Sequence, residues 1–352
     1  MTAAAVHEAS FDVYGLHLHV HGDWGEVVEA LRRDFAWFED SKSLAPAQVE
    51  VVITRQAPAY ETFGDVPAEY VTEQHVVYRV NGRTVVDYLG RALAVLEPGR
   101  AMIQGEDAHV VRRAAYDFLL SRTGDYLDGR GLPRIFGLGL AGRDGGVLVM
   151  LPRGGGKTTL ALRALAADDV AFLSEVSPLI DVHGRLHAFP FPLWVRDSSP
   201  EAALLPDHYV RHLDGQKTDP RLLELAAFTD KIPTEPQQLR HVVLGRRSLG
   251  SGSHLHALPR RDAIRPLFSQ SVIGFSVTQG LSFMVRRGGA RDPAKEQRDG
   301  HTGAPVPGVS SAKRARIRLR CCAAGLSGAQ VWRLDLGRDR AESWAALEPL
   351  LR

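Results

Sequence analysis

The stretch GVLVMLPRGGGKTTLALRALAADDVAFLSEVSPLI, Gly146 to Ile180, decides the fold. Val147 to Leu151 is a short apolar run, Pro152-Arg153-Gly154-Gly155-Gly156-Lys157-Thr158-Thr159 follows it, and the Leu- and Ala-rich segment from Lys157 to Ala167 reads as a helix. Strand, glycine loop and helix in that order make a phosphate-binding loop. Three consecutive glycines carry no Cβ, so the backbone can curl and aim several N–H groups at one phosphate. The N-terminus of the helix adds its own free N–H groups and partial positive charge. The predicted cofactor-binding residues are Gly154, Gly155, Gly156, Lys157, Thr158 and Thr159. Lys157 supplies a full charge to the β- and γ-phosphates of ATP, and the Thr158 hydroxyl ligates a bridging Mg2+. The formal pattern begins with a glycine where this chain has Leu151, so the consensus departs at its first residue while GGGKTT is intact. The competing reading, a glycine-rich surface turn before a lysine, lacks the flanking strand and helix seen here.

At 352 residues and 44% apolar content, the chain is long enough for two domains with a sizeable core. Its 43 basic and 41 acidic residues give a net charge of +2, which argues neither for nor against nucleic acid over the whole chain. The only cysteines, Cys321 and Cys322, are adjacent and poor partners for a structural disulfide, so a reducing compartment is the simpler reading. No run of 18 apolar residues occurs, and the N-terminal MTAAAVHEAS has neither a basic n-region nor an apolar h-region. A cytoplasmic protein without membrane partners is expected.

Outward from the loop, residues 11–21 alternate as a strand, with Leu16, Leu18 and Val20 on one face and His17, His19 and His21 on the other. This histidine row reads as the wet face of an edge strand rather than a metal site, because no Cys, Asp or Glu at ligand spacing accompanies it. Asp23 is the expected N-cap of a helix over 24–38, and 48–54 is a further strand. Residues 76–80, 84–88, 92–96 and 101–104 form a meander, with Asn81-Gly82 as its strongest hairpin signal. Its sheet edges offer a generic site for strand addition by an extended peptide. A helix spans 107–121, strands are expected at 134–142 and 170–173, and a hairpin turns at Asp181-Val182-His183-Gly184-Arg185. That hairpin leaves the sheet at the carboxyl ends of strands, where α/β sheets bind ligands.

From 197 to 238 the pattern loosens into irregular structure. A strand over 239–244 and a helix over 260–270 precede a polar segment at 288–311 read as a disordered loop. Residues 312–324 form a basic helix taken as a solvated face, since no aromatics interleave its charges, and nucleic acid is not an expected partner. A strand over 330–336 and a helix over 340–351 close the chain.

The loop and the hairpin after it resemble the HPr kinase/phosphorylase-related group of P-loop proteins, and more narrowly the branch that accompanies ribosomally made peptide natural products (RiPP biosynthesis). The residues that carry the resemblance are GGGKTTLAL, Leu173-Ser174-Glu175 with Ser177-Pro178-Leu179-Ile180-Asp181, His183-Gly184-Arg185 and Phe189-Pro190. It covers about residues 105–287 and, more faintly, both ends. The resemblance implies an α/β (α+β) fold with a P-loop, HPr kinase-like and phosphoenolpyruvate carboxykinase-like core. It also implies transfer of the γ-phosphate of ATP, with Mg2+, to a serine of a protein or peptide. The expected division is an N-terminal antiparallel β-rich domain at 1–105, the kinase-like core at 106–287, the loop at 288–311, and a helix-strand-helix at 312–352 completing the core.

Two departures stand out. Active relatives carry a histidine ahead of the loop where this chain has Phe136, and two adjacent carboxylates after the next strand where it has Glu175 alone, within Ser174-Glu175-Val176. Loss of a general base costs about 10²- to 10⁴-fold in rate. Glu175 is therefore the candidate catalytic acid and, with Thr158, the candidate Mg2+ ligand. Asp181, ahead of Asp214, is the candidate to take over the missing role. Two functional readings follow. One is a degenerate, kinase-like accessory protein that binds a precursor peptide and presents it to other enzymes of a pathway. The other is an active ATP-dependent serine kinase.

Overall fold

Three two-residue turns shape the N-terminal sheet. Tyr14-Gly15, Asn81-Gly82 and Leu89-Gly90 all carry positive φ, the turn geometry that matches the twist of antiparallel hairpins. They are seen in a computed structural model that describes residues 6–40, 45–152, 154–195, 200–204, 210–212, 221–273 and 311–352. The expected loop at 288–311, except its last residue Ser311, which opens a helix, lies outside the described residues, as do Arg153 and Asp214.

Helices and strands are mixed along the chain, which divides into two units, one taking the described residues up to Tyr126 and the other those from Leu127 onward. The first unit holds β1 (His7–Val13), β2 (Leu16–Gly22), α1 (Gly25–Asp34), β3 (Val49–Arg55), β4 (Tyr70–Val71), β5 (Val76–Val80), β6 (Arg83–Asp87), β7 (Ala92–Leu96) and β8 (Arg100–Gly105). They form one eight-stranded sheet in the order β1-β2-β3-β8-β7-β6-β5-β4. The β2–β3 and β3–β8 pairs are parallel and the rest antiparallel. The meander matches the sequence reading, whereas the single strand expected over 11–21 is a hairpin, because Tyr14 occupies a positive-φ turn position that tyrosine seldom takes. The helix expected over 24–38 ends at Asp34 and is followed by a 3-10 turn, Ala36–Phe38. Asp23 does not cap it; its Oδ1 accepts the Arg55 N–H at 2.8 Å.

Helix α2 (Ala108–Gly129) runs two turns beyond its expected end. Most of it belongs with the first sheet, since Arg112 pairs with Asp34 and Tyr116 packs edge-on against Phe35. Tyr126 donates to the Tyr14 carbonyl at 3.4 Å. The division of the chain therefore falls inside α2, after Tyr126, rather than at 105.

The second unit contains β9 (Leu138–Gly142), β10 (Gly145–Met150), α3 (Lys157–Ala166), β11 (Ala171–Ser174), β12 (Leu179–Ile180) and β13 (Arg185–His187). It continues with β14 (Leu193–Val195), β15 (Val210–His212), β16 (Arg221–Leu223), β17 (Gln237–Arg247), β18 (His254–Leu258) and α4 (Arg261–Ile273). Helix α5 (Ser311–Gly328), β19 (Gln330–Leu336) and α6 (Arg340–Leu347) complete it. The main sheet runs β11-β9-β10-β17-β13-β12, with β19 also paired to β17 and β18 to β19. Strand β17 is parallel to both β10 and β19, while β9 is antiparallel to β10 and β11. Val147, Leu148, Val149, Val242 and Val243 are fully buried, the apolar signature of central strands covered on both faces. The region 197–238, read as irregular, contributes part of a small separate sheet, β14-β16-β15.

The basic helix is not wholly solvated. On α5, Lys313, Arg316 and Arg320 are exposed, but Arg314 and Arg318 are buried, and Arg318 forms an ion pair with buried Asp128. Cys321 and Cys322 are free thiols in the core, and burial pushes the Cys321 thiol up to about 12. Among the described residues no helix is long and apolar enough to cross a membrane.

Candidate functional site

Parallel strands β10, β17 and β19 end side by side, with Met150 level with Leu244 and Arg247 level with Leu336. The glycine loop leaves β10 at this carboxyl edge. Gly154 and Gly156 have φ of +73° and +107°, and Gly156 is the N-cap of α3. The Gly155 N–H donates to the Pro152 carbonyl at 2.9 Å, and a Cβ on Gly155 would stand 2.8 Å from that oxygen. The curl thus depends on glycine at 155 for space and at 154 and 156 for backbone conformation. Leu151, the departure from consensus, has a packing explanation. It is buried, and a Cβ on Gly245 of β17 would lie 2.2 Å from its Cδ2. The leucine therefore occupies room left by a glycine on the neighbouring strand.

Lys157 opens α3 and is almost entirely buried. Its Nζ donates to the carbonyls of Leu151 at 3.0 Å and Pro152 at 3.3 Å, and lies 4.2 Å from the centre of the Phe136 ring. The ammonium thus lies against the loop carbonyls and is covered by the aromatic face. Phe136 is fixed by its neighbours, since Ile135 N–H donates to the Pro178 carbonyl and Gly137 N–H to the Val176 carbonyl. Phe136 and the segment after β11 thereby flank the loop together.

Thr158 Oγ1 donates to Glu175 Oε1. Burial raises the Glu175 carboxyl above the usual range, against the opposing pull of the Thr158 hydroxyl and the Lys157 charge. Hydroxyl and carboxylate side by side next to the lysine are two oxygen donors of the kind Mg2+ takes. Their fit to Mg2+·ATP rests on this pairing and on the glycine curl. Thr159, one residue on, is partly buried.

Asp181 is not part of this constellation. Its Oδ1 accepts the His183 and Arg185 backbone N–H groups, each at 2.9 Å. Its Oδ2 accepts Arg185 Nε at 2.8 Å and lies 3.1 Å from His187 Nε2. Burial alone would raise its pKa, but the Arg185 amide, the His187 ring, the Arg185 guanidinium and the His183 amide outweigh it and hold the carboxyl below the usual range. An acid engaged by four N–H donors is a turn clamp and a poor proton acceptor, so the expectation that Asp181 replaces the missing carboxylate is not met by its surroundings. Ser174 is likewise occupied in the local turn, accepting the Ser177 N–H at 3.1 Å.

Sequence reasoning passed over Arg247. A Cβ on Gly156 would sit 3.3 Å from its Nη2, and its Nη1 donates to the Gly337 carbonyl at 3.3 Å. A second cation therefore hangs over the loop from the end of β17. The available signal was a basic residue at the carboxyl end of a strand parallel to the loop strand, and reading it required the pairing of β10 with β17. No protein-family model matches this chain, and no curated protein matches it.

Proposed function

We propose that this chain is an HPr kinase-like P-loop protein of peptide natural-product biosynthesis that binds Mg2+·ATP and recognises a precursor peptide without phosphorylating it. The HPr kinase-like and phosphoenolpyruvate carboxykinase-like core is supported by the antiparallel β9 feeding the loop strand and by the hairpin after β11. ATP would lie against Gly154, Gly155 and Gly156, with Lys157 and Arg247 on its phosphates and Thr158 and Glu175 on the metal. The observation that carries the reading is that, among the described residues, Glu175 is the acid bonded to Thr158 of the loop, while Asp181 is consumed by its own turn. With Glu175 on the metal and Asp181 engaged in its turn, neither of these two carboxylates is left to act as base for an attacking serine hydroxyl. A sheet edge is present for a peptide, because among the described residues β18 pairs with β19 alone and its side chains are largely exposed.

A second reading, an active ATP-dependent serine kinase, is favoured by one observation: burial raises Glu175, and a raised carboxyl is a better base. Incubating the protein with Mg2+·ATP and the peptide encoded beside its own gene separates the two. The proposal predicts peptide bound and recovered at unchanged mass. A phosphoserine on the peptide that disappears with Lys157→Ala overturns it in favour of the kinase.

A further inference from the structure

The histidine row of the first unit acquires a carboxylate only when the sheet is assembled. On β2, Leu16, Leu18 and Val20 are buried, and His17, His19 and His21 share the opposite, half-buried face. Strand β3 lies parallel to β2 with Glu50 in register with His19. His21 Nε2 is 2.9 Å from Glu50 Oε1, and the His19 and His21 rings stack with centroids 5.0 Å apart and an interplanar angle of 24°. One ligand atom from each of His19, His21 and Glu50 falls within 4.8 Å of the others. The second oxygen of Glu50 is held from the far side, at 2.9 Å, by Arg100 Nε of β8, the register partner of Glu50. That contact leaves Oε1 aimed at the rings. It is the kind of outer contact that orients a ligating carboxylate in metal sites.

We propose that His19, His21 and Glu50 bind one divalent ion of the zinc class, as a two-histidine, one-carboxylate set. Two imidazoles suit zinc and its borderline neighbours over calcium or magnesium, and a three-ligand set leaves the fourth tetrahedral position for water. The ion replaces the hydrogen bond between His21 and Glu50 and takes a lone pair from each ring, so both imidazoles bind neutral. Glu8 borders the site, its Oε2 3.6 Å from His19 Nε2. Because the ligands come from β2 and β3, the ion cross-links two strands that are not consecutive hairpin partners, and it stabilises the folded first unit by mass action. The inference is independent of any activity at the glycine loop.

The full chain, stripped with chelator, is titrated with Zn2+ by calorimetry and with Co2+ by visible absorption, with thermal unfolding followed alongside. The expected result is one ion per chain, d–d bands of a low-coordinate Co2+ site, and a Zn2+-dependent rise in Tm. Affinity should fall about 10- to 100-fold in His21→Ala and Glu50→Gln, with His19→Gln as a milder replacement should His21→Ala fail to fold. A His254→Ala/His256→Ala variant, which removes the two close histidines of β18 in the second unit, should leave the titration unchanged. Absence of stoichiometric binding, or binding that survives Glu50→Gln with His19→Gln or is lost with the β18 histidines, overturns the proposal.

Discussion

Glu175 and Asp181 sit six positions apart on one connection, and the fold treats them in opposite ways. Glu175, just past the end of β11, is half-buried with a threonine hydroxyl as its bonded partner and is shifted up by desolvation. Asp181, in the β12–β13 turn, is surrounded by four N–H donors and shifted down despite burial. A carboxylate kept short of donors retains capacity for a metal or a proton, whereas a fully bonded one is committed to structure. Nearness in sequence to the glycine loop therefore says little about which acid is committed to structure.

The comparison breaks most visibly at Asp181. Replacing Asp181 by Ala strands two backbone N–H groups, the Arg185 guanidinium and the His187 ring, and should cost about 2–4 kcal/mol of stability. Denaturant unfolding would show that loss, and nucleotide titration of the folded fraction should be unaltered. A protein that loses ATP affinity while keeping its stability would place Asp181 in the loop site instead.

Titration with acid or base sharpens the contrast, since the two shifts have opposite signs. The lowered Asp181 pKa contributes stability that is present above the unfolded carboxyl value of about 3.9 and is lost as pH falls through the folded value. The raised Glu175 pKa works the other way, removing stability as pH rises from the unfolded value through the folded one. Glu175→Gln should accordingly raise the Tm of the nucleotide-free protein at neutral pH. If Glu175 helps hold the metal as proposed, the same change should also weaken Mg2+-dependent ATP binding about tenfold. A drop in Tm at neutral pH would show that the ionised carboxylate is stabilising as it stands.

The smallest effect belongs to Phe136. Phe136→Leu removes the ring under the Lys157 ammonium, an interaction worth about 0.5–2 kcal/mol. Stability should fall by that order, with ATP binding retained. Loss of nucleotide binding in this variant would mean that the ring positions the lysine rather than only covering it.

What was legible in the sequence was local. The Asn81-Gly82 hairpin, the curl of Gly154 to Gly156 and the start of α3 at Lys157 each follow from a few adjacent residues whose backbone preferences agree. What was hidden depends on partners far along the chain. Glu50 becomes a neighbour of His19 and His21 only through the parallel β2–β3 register. Strand β18 exists by pairing with β19, and Arg247 reaches the loop because β17 lies against β10. Arg318 looked like surface charge until Asp128 was placed against it. Leu151 looked like a defect in the motif until Gly245 was found opposite. The Tyr14-Gly15 turn was hidden for a different reason: it is local, but it sets tyrosine in a conformation that residue type seldom adopts.

The most direct test of the central claim is calorimetric titration of Mg2+·ATP into the wild-type chain and Lys157→Ala. Lys157 Nζ lies at the glycine curl against the Leu151 and Pro152 carbonyls and the Phe136 ring, and a phosphate seated in that curl should attract its charge. The account predicts saturable, Mg2+-dependent binding in the wild type that weakens in Lys157→Ala by about 2–5 kcal/mol, the usual cost of truncating one partner of a close charge pair. A wild-type chain that takes up no ATP, or a variant that binds it equally well, would contradict the account and leave the glycine curl as a structural turn.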